Sequence, residues 1–188
     1  PLKSQNCAKT IFTKILYKGV KMTYEQALDK IHSLDKFGSR PGLDRIKMLF
    51  DLLGEDLLEQ KFIHVAGTNG KGSTCAFLQC ILTSSGLKCG KFISPNMIDV
   101  CERISIDGKN ISTEEMDSLL AEVEGYAKEV EKEKGAMPTQ FEIWTAAAFI
   151  YFAKEKCDIV VLEVGLGGRL DATNIIKFNE LSVITSID

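Results

Sequence analysis

Stretches of helical spacing alternate along the chain with short apolar runs. Thr23-Tyr-Glu-Gln26 has the form of a capping box, in which the Thr hydroxyl and the Gln side chain satisfy orphan helix donors. Ala27, Ile31 and Leu34 follow at intervals of four and three, which predicts a helix over about 24–35. Beyond the turn Gly38-Ser39-Arg40-Pro41-Gly42, Leu43, Ile46, Leu49, Phe50 and Leu53 form a second amphipathic helix that Gly54 stops. Phe62-Ile-His-Val-Ala66 is a short apolar strand, and a glycine-rich turn leads from it into a helix over about 72–85. Residues 88–93 read as a strand, and 103–107 with Gly108-Lys-Asn110 as a hairpin arm. Ser112-Thr-Glu-Glu115 caps a long charged helix to about 134, and a further helix covers about 140–154. Residues 158–163 are almost purely apolar, as a strand covered on both faces requires, and 181–187 read as another buried strand. This order predicts an α/β fold, a doubly wound and mostly parallel sheet with flanking helices.

Composition narrows the function classes. The 188 residues are 45% hydrophobic and 26% charged, which suits a globular domain and excludes disorder. No apolar run reaches the roughly 18 residues of a membrane-spanning helix, so no membrane partner is expected. Acidic side chains outnumber basic ones 26 to 23, and five lysines fall within residues 1–21, which hold no acid. The remainder is acidic, which argues against a protein that coats nucleic acid. The six cysteines form no C-x-x-C pair, and His32 and His64 are the only histidines, so the thiols read as reduced and mostly buried. The expected address is the cytoplasm, with an organelle as the alternative if residues 1–21 are a genuine leader rather than an added segment.

The chemistry is concentrated in two glycine-rich turns. Residues Gly67, Thr68, Asn69, Gly70, Lys71, Gly72 and Ser73 lie between a strand and a helix, where backbone N–H groups and the helix dipole can cradle phosphates. Lys71 would reach the terminal phosphates, and a hydroxyl at Ser73 could meet a metal. Val65 stands where the common G-x-x-x-x-G-K-[ST] form has its first glycine, and Gly72 separates Lys71 from Ser73. The competing reading is a glycine turn with an incidental lysine. In the second turn Glu163 ends an apolar strand before Gly165-Leu-Gly167-Gly168, a position from which a carboxylate can bind Mg²⁺. A salt-bridged strand end is the alternative there, and the glycines lack the G-x-G-x-x-G spacing of a dinucleotide loop. Ser94-Pro95-Asn96 ends a strand and could project a hydroxyl into the same crevice. Thr139 and Glu142 form a capping box that structure alone explains. His64 reads as a core residue without a ligand partner, Trp144 as core, and His32 has no assigned role.

Together, Gly67-Thr-Asn-Gly-Lys-Gly-Ser73, Ser94-Pro95, Glu102-Arg103-Ile104, Phe141-Glu142 and Leu162-Glu-Val-Gly-Leu-Gly-Gly-Arg-Leu-Asp-Ala-Thr-Asn174 resemble the folylpolyglutamate synthase and dihydrofolate synthase family, a branch of the Mur ligases. The resemblance runs in order from about residue 22 to the end. It implies a P-loop-containing ATPase domain of Mur-ligase type, of which residues 22–188 are the N-terminal part. A C-terminal glutamate-binding domain would then be absent, and the chain alone inactive. The implied reaction is ATP-dependent ligation of L-glutamate to a pteroate or folate carboxylate through an acyl phosphate, with ATP and Mg²⁺ as cofactors and a monomer as the whole protein. Lys71 would be catalytic, residues 67–73 would bind ATP with Ser73 as a phosphate contact, and Ser94 and Glu163 would hold magnesium. Gly38, Ser39, Arg40, Pro41, Thr139, Phe141, Leu170 and Ala172 would line the pterin pocket. The chain departs from the family at Gln140, where an aromatic is usual, and at Asn96, where a histidine is usual. A cell-wall ligase acting on a UDP-linked precursor and a non-catalytic nucleotide-binding module remain as alternatives.

Overall fold

The structure is a computed structural model that describes residues 42–188. The helix expected over 24–35 and the candidate pocket residues Gly38, Ser39, Arg40 and Pro41 lie outside the described residues.

Four helices and six strands follow the predicted order: α1 (Asp44–Leu53), β1 (Phe62–Ala66), α2 (Lys71–Ser84), β2 (Cys89–Phe92), β3 (Ile104–Ile106), β4 (Lys109–Asn110), α3 (Thr113–Lys134), α4 (Gln140–Lys154), β5 (Ile159–Glu163) and β6 (Leu181–Ile184). Local chemistry sets their ends. Ser112 and Glu115 form the capping box that opens α3, and Gly135 closes it with a left-handed φ of 68°. Thr139 and Glu142 do the same at the start of α4.

The strands form one sheet in the order β4-β3-β2-β5-β1-β6. β2, β5, β1 and β6 are mutually parallel, and the β3–β4 hairpin adds two antiparallel strands beyond β2. Side chains alternate between the faces with the period of two that a pleated strand imposes. Ile63, Val65, Cys89, Ile159 and Val161 pack against α2 with Cys75. Phe62, Phe92, Val160 and Leu162 point to the other face, onto the cluster that α1, α3 and α4 share. Helix α4 runs closest to the sheet there. A Cβ on Gly90 would lie 2.7 Å from the Phe152 ring, so only glycine on β2 allows that approach. Since α1 and α3 cover its other side, α4 is buried almost all round, with Trp144 and Phe149 fully enclosed.

One expectation is corrected. The strand predicted as buried over 181–187 is β6, Leu181–Ile184, and it is mostly exposed, with Ile184 at 67%. Its apolar pattern is strand-like, but among the described residues it has β1 as its single strand neighbour, and Val183 packs against the α2-side cluster while Leu181 and Ile184 stay exposed.

Phe149 stacks on Phe62 at 5.0 Å and meets Phe50 edge-on at 5.2 Å, so it ties sheet, α4 and α1 together. Phe149→Ala should lower the unfolding free energy by about 3–5 kcal/mol, since it loses transfer energy and leaves a cavity. Phe77→Ala on the outer side of α2, where the ring is 70% exposed, should change it by about 0.5 kcal/mol or less. Urea titration of both variants checks this packing; equal losses would contradict it.

Candidate functional site

Because β1, β2, β5 and β6 run parallel, their C-terminal ends share one edge of the sheet, where ligands of open α/β folds bind. The two glycine-rich turns and Ser94 all emerge there.

The turn after β1 is held by the segment after β6. Gly67 has a φ of 137°, and a Cβ at that position would stand 2.0 Å from the Thr185 hydroxyl oxygen, so glycine is obligatory. The Thr68 amide donates to the Ser186 carbonyl at 2.7 Å, and the Asn69 side chain donates to the Asp188 carboxylate at 2.6 Å. Gly70, left-handed at φ 81°, then turns the chain into α2. The amides of Lys71, Gly72 and Ser73 form the first turn of that helix and have no intrahelical acceptor, which leaves them for an anion. Lys71 folds back so that its Nζ donates to the Thr68 carbonyl at 3.3 Å. Ser73 is exposed at the mouth of the turn. These contacts hold the turn against the segment after β6 and leave the Lys71 cation at its rim.

Glu163 lies beneath this helix start. A Cβ added to Gly72 would be 3.6 Å from Glu163 Oε2. The carboxylate is 5% exposed, forms no ion pair among the described residues, and accepts one hydrogen bond, from the Ser94 amide at 3.1 Å. Burial raises its pKa above the usual carboxylate value. The Ser94 amide and the charges of Lys71 and Lys91 only partly offset that. A buried, under-compensated carboxylate with lone pairs to spare fits a hard cation, and the hydroxyl of Ser94 is the natural second oxygen. Among the described residues no cluster of three or more His, Cys, Asp or Glu forms. The protein would thus supply few ligands, the arrangement Mg²⁺ favours when phosphate oxygens and water complete its shell.

Of the candidate pocket residues that the structure describes, Phe141 and Ala172 lie on the opposite face of the sheet. Phe141 lies 5.8 Å from Phe92 at a tilt of 32°. A Cβ on Gly165 would be 2.6 Å from its Cζ, so the turn after β5 closes directly on this ring. Thr139 caps α4, with its hydroxyl accepting the Glu142 amide at 3.2 Å. Leu170 is half exposed and Ala172 is buried in a short 3₁₀ helix, Ala172–Ile175. Glu142 does more than cap: it also pairs with Arg45 of α1 at 3.1 Å.

Sequence reading missed Asp171 and Thr173. The Thr173 hydroxyl lies 2.5 Å from Asp171 Oδ1 and 2.8 Å from His64 Nε2, so His64 has a partner after all. Burial lowers the His64 pKa and the Asp171 charge opposes that. The local signal was present, since an Asp two residues before a Thr is a helix-capping pattern, but its link to β1 is not local. Burial pushes the Cys75, Cys89 and Cys157 thiols up to about 12, which keeps them protonated and chemically quiet.

Comparison with family models gives no match. Individual relatives do match. The chain is 46% identical over 165 residues to a dihydrofolate synthase/folylpolyglutamate synthase of Bacillus subtilis, covering 87% of this chain and 38% of that protein. It is 41% identical over 174 residues to a folylpolyglutamate synthase of Arabidopsis thaliana, covering 88% of this chain and 30% of that one. Among solved structures, the folylpolyglutamate synthase of Thermotoga maritima superposes with a TM-score of 0.78 at 43% identity, over 86% of this chain and 38% of the other. The bifunctional folylpolyglutamate synthase/dihydrofolate synthase of Yersinia pestis gives 0.80 at 37%, over 92% of this chain and 41% of the other. A further Yersinia pestis structure holds AMPPNP and Mn, and another bifunctional folylpolyglutamate synthase/dihydrofolate synthase structure holds Mn, AMPPNP and L-glutamate. The chain spans less than half the length of each of these relatives. Over that stretch, the chain belongs to the folylpolyglutamate synthase and dihydrofolate synthase family.

Proposed function

We propose that this chain carries the phosphoryl-transfer half of an ATP-dependent ligase that joins L-glutamate to the carboxylate of a pteroate or folate. The observation that carries the reading is the buried Glu163 carboxylate under the first turn of α2, bonded to the Ser94 amide and within reach of the Lys71 charge. The nucleotide and L-glutamate bound in solved relatives support it.

In this reading the phosphates of ATP rest on the amides of residues 71–73, and the positive end of α2 faces them. An oxygen of the acid substrate attacks the γ-phosphorus; that O–P bond forms as the bond to the β,γ-bridging oxygen breaks, and ADP leaves. The amine of glutamate then attacks the acyl carbon, phosphate departs with the C–O bond pair, and the amine loses its proton to solvent. Lys71 turns from Thr68 toward the transferring group and meets the charge spread over its oxygens. A magnesium ion held by Glu163 and the Ser94 hydroxyl would withdraw further charge from the phosphates when bound. Phe141 offers an aromatic wall for a flat pteridine on the other side of the glycine turn, and Thr139, Leu170 and Ala172 would complete the pocket.

A phosphate-release assay on the complete protein with ATP, Mg²⁺, L-glutamate and either dihydropteroate or a reduced folate tests the proposal. Turnover with one pteridine acid is expected, and Lys71→Ala should lower kcat by about 10²–10³-fold, as loss of one preorganised charge contact does. Release only with a UDP-linked precursor would transfer the protein to the cell-wall ligases, and silence with every acid would leave a nucleotide-binding module.

Glu163 gives a second test, which reads stability. Its carboxyl is held above its ordinary value by burial, so the folded state loses stability as pH rises from that ordinary value through the folded one. Glu163→Gln should therefore raise the Tm of the metal-free protein at pH 7. It should also abolish any Mg²⁺-induced rise, and differ little from the parent at a pH below the ordinary carboxylate range. Thermal melts with and without Mg²⁺ decide; a variant less stable than the parent at pH 7 would contradict the assignment.

A further inference from the structure

The contacts of His64, Thr173 and Asp171 fix the direction of every hydrogen between them. Asp171 accepts on both oxygens: Oδ2 takes the Leu166 amide at 2.8 Å, and Oδ1 takes the Thr173 amide at 2.9 Å and the Thr173 hydroxyl at 2.5 Å. A Thr hydroxyl has one hydrogen to give. Donated to Asp171, it leaves the Thr173 oxygen as an acceptor toward His64, whose Nε2 lies 2.8 Å away. His64 Nε2 must therefore carry a hydrogen. Asp171 and Thr173 are buried, at 5% and 0% exposure, so a wrong hydrogen would leave an acceptor unmatched where water does not easily replace it.

The relay lies on the α4 side of the sheet, away from the phosphate turn. His64 pairs in register with Leu162 on β5 and faces the α4 side with it, whereas Glu163 faces α2. At its far end the Asp171 carboxylate ties down Leu166, three residues beyond Glu163, and closes the turn that Gly165 carries against Phe141. The backbone of that turn is further held by the Gly168 amide on the Leu166 carbonyl at 2.9 Å, the Asp171 amide on the Gly168 carbonyl at 3.0 Å and the Asn174 side chain on the Arg169 carbonyl at 3.1 Å.

We propose that His64 is a positioning residue: its Nε2–H, acting through the Thr173 hydroxyl, aims the Asp171 carboxylate that holds residues 165–171 in the shape that receives the acid substrate. The substrate clause rests on the function proposed above; the relay itself does not. The phosphate turn leaves β1 two residues beyond His64, yet none of its amides joins the relay, so the effect belongs to the acid side of the crevice and not to the nucleotide side.

The test has a ligand-free arm and a kinetic arm. The chain has two histidines, so substitution assigns their ring nitrogens in a long-range ¹H–¹⁵N spectrum. His64 should show a protonated Nε2 and a bare Nδ1. His64→Leu and Thr173→Val should each lower the exchange protection of the Leu166 amide by roughly tenfold or more, the worth of a hydrogen bond. The amides of β1 and β5 should keep theirs. His64→Gln, which places an amide donor near the same point, should retain the protection. In the complete enzyme, His64→Leu should raise KM for the pteridine acid roughly tenfold and leave KM for ATP within about twofold, with His64→Gln restoring the former. A protonated Nδ1, unchanged Leu166 protection in both deletions, equal rises in the two KM values, or a His64→Gln variant no better than His64→Leu would each overturn the inference. No turnover with any pteridine acid would overturn its substrate clause together with the proposed function, while the ligand-free arm still decides the relay.

Discussion

A carboxylate at the end of a strand buried on both faces is the constraint on which the rest of this structure turns. Glu163 cannot reach bulk water without leaving β5, and the fold gives it one amide and two distant lysine charges in compensation. Burying an ionised group so incompletely paired is unfavourable. In the proposed function a cation offsets that cost, and the phosphate oxygens resting on the first turn of α2 would bring it. On that proposal metal, nucleotide and strand end would be linked energetically before any chemistry begins.

The loops around this carboxylate are held by long-range contacts rather than by their own turns. Gly67 is obligatory because Thr185 lies against it, and Asn69 reaches Asp188 across 119 residues of sequence. On the other side Asp171, Thr173 and His64 hold the second turn. Four parallel strands bring these segments to a common edge, and the aromatic stack of Phe50, Phe149 and Phe62 beneath keeps that edge in place. Since α2 alone covers one face among the described residues, its N-terminus stands clear over the crevice.

Much of this was legible in the sequence, for identifiable reasons. The capping boxes at Ser112 and Thr139 are local patterns with local consequences, and both form as read. The strand–turn–helix around Lys71 and the apolar run ending in Glu163 likewise depend on neighbours a few residues apart. What spacing does not encode is the number of neighbours a strand acquires. Residues 181–187 read as buried from their apolar character, whereas the strand there, Leu181–Ile184, has one strand neighbour among the described residues and lies largely exposed. His64 reads from the sequence as a core residue without a ligand partner, and its hydrogen-bond partner Thr173 stays hidden there because it is 109 positions away. The double duty of Glu142, as cap and as ion-pair partner of Arg45, was hidden for the same reason.

The most direct test of the central claim is the position of a metal and a nucleotide analogue in this chain. A crystal soaked with Mn²⁺ and a non-hydrolysable ATP analogue would locate the metal by anomalous scattering. The account predicts a peak beside the Glu163 carboxylate and the Ser94 hydroxyl, with the phosphates on the amides of residues 71–73. A metal bound away from Glu163, or phosphates that bypass the first turn of α2, would contradict it.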